Sequence, residues 1–173
     1  LTDVAIASDG GNAIYAADGS SIALNGGVSL DVTGTGAVSG IKADGGRVTV
    51  ANGKTLKVAS DADAFGINAL NGGSVSADLE SLTAESASGA ATGISASSGK
   101  ASTINVANGL TVTGANGGTG IEASGAAHQI TVGGLTDVSV AANGDNAIYA
   151  ADGSNVNLNG GVSIDVTGNN EVS

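Results

Sequence analysis

The sequence predicts an all-β parallel solenoid, a triangular β-helix with three short strands in each coil of about 27 residues. Three observations predict it. The motif Ile-x-Ala recurs at Ile14/Ala16, Ile41/Ala43, Ile67/Ala69, Ile94/Ala96, Ile121/Ala123 and Ile148/Ala150, with isoleucine spacings of 27, 26, 27, 27 and 27. Between successive motifs lie two further alternations of aliphatic and polar residues, the period-two signature of strands with one buried face. Glycine supplies 30 of 173 residues, with no proline and no three-residue period, which provides many turns and excludes a collagen helix.

Each coil reads in the same order. The Ile-x-Ala strand is followed by a small-residue turn: Asp18-Gly19, Asp44-Gly45, Asn71-Gly72, Ser98-Gly99, Ser124-Gly125 and Asp152-Gly153. A second strand carries the pairs Ile22/Leu24, Val48/Val50, Val75/Ala77, Ile104/Val106, Ile130/Val132 and Val156/Leu158. A Gly/Asn corner comes next, at Gly26-Gly27, Asn52-Gly53, Asn108-Gly109, Gly133-Gly134 and Gly160-Gly161. The third strand closes the coil, as in Val28-x-Leu30-x-Val32, Leu56-x-Val58, Leu110-x-Val112 and Val162-x-Ile164-x-Val166. Asp, Asn and Gly suit such corners because they tolerate positive φ.

Stacking coils at about 4.8 Å places the six isoleucines in one inward ladder, with the alanines beside it keeping the cross-section narrow. Tyr15, Phe65 and Tyr149 are the only aromatic residues available to fill a core, so the core must be aliphatic and thin. The outward positions between Ile and Ala are Tyr15, Lys42, Asn68, Ser95, Glu122 and Tyr149.

A longer repeat contains the short one. The opening 39 residues return at Leu135 with 27 identities, an offset of 134 residues that equals five coils. Residues 1–173 therefore read as a single β-helix segment of about six and a half coils. Residues 1–134 form one long repeat, and 135–173 start the next. No polar cap flanks either end, which reads as a segment of a longer rod roughly 30 Å of which is seen here.

Composition narrows the partners. Sixteen acids against five bases give a net charge of −11, which argues against nucleic acid. Without cysteine there is no disulfide scaffold and no thiolate metal site. No apolar run is long enough for a membrane-spanning helix, so direct membrane insertion by this segment is not expected.

Gly144–Asn155 has the look of a calcium-binding nonapeptide, but the nine-residue period fails at Asn157, and turn chemistry explains Asp18, Asp44 and Asp152. Asp61 and Asp63, with Glu85 one coil on, read as a solvated acidic corner without an accompanying base. The sole histidine, His128, occupies a corner column with Ser20, Gly46, Gly73, Ser102 and Ser154 and lacks a catalytic or metal partner. No catalytic residue, cofactor or metal is therefore expected. Four of the five basic residues, Lys42, Arg47, Lys54 and Lys57, share one coil, and Lys57 is expected to stack on Asp31 as a surface ion pair. Tyr15 and Tyr149, which can stack on sugars or on a like rod, join Lys42 and Arg47 as the candidate surface contacts.

Phrases such as GGVSLDVTG, NGKTLKVAS, NGLTVTGANGGTGI and GISASSGK resemble the repeat region of bacterial autotransporter passenger domains, the type V secreted surface proteins, over essentially the whole chain. The resemblance implies a right-handed β-helix exported to the Gram-negative cell surface through a separate membrane barrel, acting in adhesion, self-association or biofilm formation. The expected function is thus a non-enzymatic extracellular adhesin or self-association stalk. Its partners would be like rods, or host or bacterial surface glycans or proteins. The alternative is a structural filament or surface-layer subunit assembled by coil stacking, and a third is a phage fibre or polysaccharide-acting β-helix enzyme.

Overall fold

The computed structural model describes residues 3–97, 102–106, 109–125, 128–133, 137–142, 146–159 and 162–168. Among them there are nineteen strands and no helix, hence none long and apolar enough to cross a membrane. The chain opens with β1 (Asp3–Ser8), β2 (Gly11–Ala17) and β3 (Ser21–Asn25). One coil on come β4 (Ser29–Gly34), β5 (Val38–Asp44) and β6 (Arg47–Ala51), then β7 (Thr55–Ser60), β8 (Ala64–Leu70) and β9 (Ser74–Leu79). The order continues with β10 (Ser81–Ser86), β11 (Ala91–Ser97) and β12 (Ser102–Val106), then β13 (Leu110–Gly114), β14 (Gly118–Ser124) and β15 (Gln129–Gly133). Last are β16 (Asp137–Ala142), β17 (Ile148–Ala150), β18 (Asn155–Asn159) and β19 (Ser163–Thr167).

Every strand pairs in parallel with its equivalent one coil away, giving three sheets around one core. The first sheet is β1-β4-β7-β10-β13-β16-β19, the second β2-β5-β8-β11-β14-β17, and the third β3-β6-β9-β12-β15-β18. The protein is an all-β parallel solenoid. Ile14, Ile41, Ile67, Ile94, Ile121 and Ile148 are consecutive register partners, as are the six alanines two residues on. The four central isoleucines are fully buried. Leu30, Leu56, Leu82 and Leu110 form the corresponding ladder in the first sheet.

A second inward column, one residue before the isoleucines, holds Gly40, Gly66, Gly93 and Gly120. A Cβ on Gly93 would lie 2.6 Å from Leu110 Cδ1 and 2.7 Å from the Gly120 carbonyl oxygen. On Gly66 it would lie 2.6 Å from Leu82 Cδ2. Glycine here lets the second sheet meet the leucine ladder of the first. At the opposite end of the first-sheet strands, Ser60 and Ser86 turn inward and satisfy the corner backbone. Ser60 Oγ donates to the Gly36 carbonyl (2.6 Å) and accepts from the Ala62 amide (3.0 Å). Ser86 Oγ donates to the Ala62 carbonyl (2.5 Å) and accepts from the Gly89 amide (2.8 Å).

The turns after Ile-x-Ala obey the expected chemistry. Asp18 and Gly19 have φ of 49° and 80°, Asn71 and Gly72 48° and 77°, and Asp152 and Gly153 55° and 76°. Two successive positive φ angles define a type I′ turn. Each is closed by an amide-to-carbonyl bond: Ser20 to Ala17, Gly73 to Leu70 and Ser154 to Ala151. In the corresponding turn of the shorter coil only Gly45 takes positive φ, at 69°, while Asp44 accepts a hydrogen bond from Asn71 Nδ2 (2.7 Å). The expected features at Ser98-Gly99 and Gly160-Gly161 lie outside the described residues.

One alignment differs from the sequence reading. Ser102 pairs with Ile130, and Ile104 with Val132 and Ala77. Ser102 thus belongs to the column of Val75 and Ile130, not to the corner column of His128. Ile104 sits one inward position further along its strand, level with Ala77 and Val132 rather than with Val75 and Ile130. A two-residue slip preserves the period-two alternation, so the apolar pattern alone could not detect it.

Candidate functional site

The outer face of the second sheet gathers the distinctive side chains. Alternation along β2, β5, β8, β11, β14 and β17 turns Tyr15, Lys42, Asn68, Ser95, Glu122 and Tyr149 outward in one column of register partners. Tyr15 is 48% exposed and Tyr149 43%. Phe65 belongs to the same face rather than to the core. It is the register partner of Ser39 and Thr92, in a neighbouring outward column, and is half-buried. All three aromatic residues of the chain therefore project from one sheet. Between them the short side chains of Ser39, Thr92 and Ser95 are recessed and buried.

Two of the nominated contacts meet: Lys42 Nζ stands 5.5 Å from the centroid of the Tyr15 ring, a cation–π contact. Tyr149 stacks on Glu122 instead. Arg47 is not part of this face. It opens β6 in the third sheet, exposed, between the register partners Ser21 and Ser74.

The expected Asp31–Lys57 ion pair does not form. The two residues are register partners, but Lys57 Nζ lies 3.5 Å from Glu85 Oε2. Lys57 sits on the adjacent strand to Glu85, so Glu85 does have a basic companion, and it lies within β10 rather than in a corner. Lys54 pairs with Glu80, and these are the two ion pairs among the described residues. Lys57 reaches the longer glutamate because the lysine stem spans the diagonal, whereas an aspartate directly opposite is short. Asp63 has backbone work: Oδ1 accepts from the Ala90 amide (3.0 Å) and its carbonyl from the Val38 amide (3.0 Å).

His128 is fully buried, and neither ring nitrogen has a hydrogen-bond partner among the described residues. Burial holds its pKa below the usual histidine range, because the charged form would lose its hydration. Among the described residues no three His, Cys, Asp or Glu side chains converge as metal ligands would. The outer face of the first sheet carries a shallow hollow of about 520 Å³, walled by Ser29, Asp31, Thr55, Lys57, Ser81 and Thr83. It offers hydroxyls, one carboxylate and one ammonium.

Two features of the exposed face do not follow from alternation in the sequence. Phe65 stands two residues before Ile67, as Ser39 and Thr92 do before their own isoleucines, and strict alternation would turn all three inward; the inward glycine that precedes each isoleucine, skipped in the strand register, breaks the alternation and leaves them outward. The recessed pattern of small residues gave no signal either, because it depends on the size of neighbours one coil away. No protein-family model, curated protein or solved structure matches the chain.

Proposed function

We propose that this chain is a stretch of a repetitive extracellular rod, a bacterial surface adhesin or self-association stalk of the autotransporter-passenger kind, without catalysis of its own. The observation that carries the reading is the phase of the long repeat. Because 134 residues make a whole number of coils, Tyr149 returns in the same outward column as Tyr15, five rungs along. A rod built this way displays one contact surface repeatedly on one face, which multiplies weak contacts into avidity. The acidic surface favours partners that are neutral or matched in charge pattern over nucleic acid.

Antibodies against the chain, applied to intact producing cells, test location. Deletion of the coding segment tests role. Surface labelling with loss of clumping or attachment on deletion is the expected result. Labelling confined to permeabilised cells would overturn the reading.

A further inference from the structure

The outward face of the second sheet is self-complementary when read backwards. Its central column runs Tyr15, Lys42, Asn68, Ser95, Glu122, Tyr149. A two-fold axis lying between two such faces, perpendicular to the rods and passing between β8 and β11, makes the rods antiparallel and sets each column against itself with its rungs reversed. Tyr15 then meets Tyr149 of the second copy, Lys42 meets Glu122, and Asn68 meets Ser95. In the neighbouring column the projecting Phe65 meets the recessed Thr92, and the recessed Ser39 meets Thr119. We propose that this face is an isologous interface through which a second copy of the chain docks antiparallel, with Lys42–Glu122 pairs on either side of the two-fold. The inference rests on the proposed self-association of the rods.

Charge favours this occupant and this direction. Lys54 and Lys57 are each paired with a glutamate of their own chain, but Lys42 and Glu122 have no ion-pair partner among the described residues. They are placed one rung inside each tyrosine, equidistant from the centre of the face. The strands of this sheet carry three charged residues, Lys42, Asp44 and Glu122, against six in the first sheet, so the face escapes most of the −11 charge that opposes association. A parallel pair, with the two-fold along the rods, would set Lys42 on Lys42 and Glu122 on Glu122, which costs affinity. Six strands about 4.8 Å apart, five of them seven residues long and β17 three, make a face of about 600 Å² per rod. That is below the roughly 800 Å² per partner of a stable pair, so one repeat associates weakly and tandem repeats associate through avidity.

Sedimentation equilibrium of the 173-residue chain, over a range of concentration and salt, tests the interface. The wild type is expected to form a weak dimer that loosens with salt. Lys42→Glu and Glu122→Lys, each alone, should weaken it about tenfold or more. An equimolar mixture of the two variants should restore association to within about twofold of wild type, since each introduced Glu then faces a Lys. Unchanged melting temperatures show that both variants fold. Association indifferent to both reversals would overturn this interface while leaving self-association standing, and so would a mixture that fails to recover. A chain that stays monomeric throughout would overturn both. A monomer whose tyrosine fluorescence responds to a neutral β-glucan oligosaccharide would assign the face to a saccharide, and the proposal would fall.

Discussion

Replacing Gly93 with alanine tests the packing of the solenoid where the second sheet meets the leucine ladder of the first. The new Cβ would sit 2.6 Å from Leu110 Cδ1, 2.7 Å from the Gly120 carbonyl oxygen and 3.0 Å from Val112 Cγ2. Leucine can rotate aside, but the Gly120 oxygen belongs to the next coil's backbone and moves only if the parallel ladder moves with it. Overpacking of this kind costs about 1–3 kcal/mol. The loss of glycine's freedom in the unfolded chain offsets about 0.5–1 kcal/mol of that. The net is a destabilisation of about 1–2 kcal/mol, or a fall in Tm of about 3–6 °C for a chain of this size. Gly27 is the control. A Cβ there would meet nothing closer than Lys54 Cε at 3.6 Å, so Gly27→Ala should be neutral or slightly stabilising. Thermal unfolding followed by far-UV circular dichroism reads both. A Gly93→Ala chain as stable as wild type, or a Gly27→Ala chain equally damaged, would refute the close approach of the second sheet to the leucine ladder.

Other perturbations separate the remaining contributions. Ile94, fully buried in the middle of its column, should cost about 2–5 kcal/mol as Ile94→Ala, measured by denaturant unfolding, because neighbouring rungs cannot close the gap. Lys57→Ala should change stability by less than about 1 kcal/mol in the same assay, since Lys57 and Glu85 are 51% and 43% exposed. His128 sets a pH dependence. Its folded pKa is lowered by burial, so below the unfolded value of 6.5 the unfolded chain binds more protons and stability falls as the solution is acidified. Tm measured from pH 7.5 down to pH 5 should drop in the wild type, and the part due to this residue should vanish in His128→Leu.

The fold was legible because its signals are periodic. The isoleucine spacing sets coil length and the isoleucines stack as register partners, while the Asp-Gly and Asn-Gly pairs after Ile-x-Ala set the turns, three of those four pairs taking the two positive φ angles of a type I′ turn. The glycine before each of the four central isoleucines was equally visible as Gly-Ile-x-Ala. Its purpose was not, because the atoms it avoids belong to another sheet and to the next coil. The slip at Ser102 shows one limit of alternation, which there sets the face a residue points to but not its rung partner, and the inward glycine beside each inward central isoleucine shows another. The candidate contacts divide similarly. Tyr15, Lys42 and Tyr149 follow from counting positions, whereas the preference of Lys57 for Glu85 over Asp31 depends on side-chain reach, which spacing does not encode.

The in-phase return of one face can be measured directly because the chain has no cysteine. Spin labels at Tyr15→Cys and Tyr149→Cys, or at Tyr15→Cys and Glu122→Cys, report the column by electron–electron dipolar spectroscopy. Dimerisation is suppressed by dilution and salt. The parallel solenoid predicts narrow distributions centred at about 24 Å for the five-rung pair and about 19 Å for the four-rung pair, a difference of one rung. Broad distributions, or distances that do not shorten by about 4.8 Å on moving one coil, would contradict a face that repeats in register along the rod.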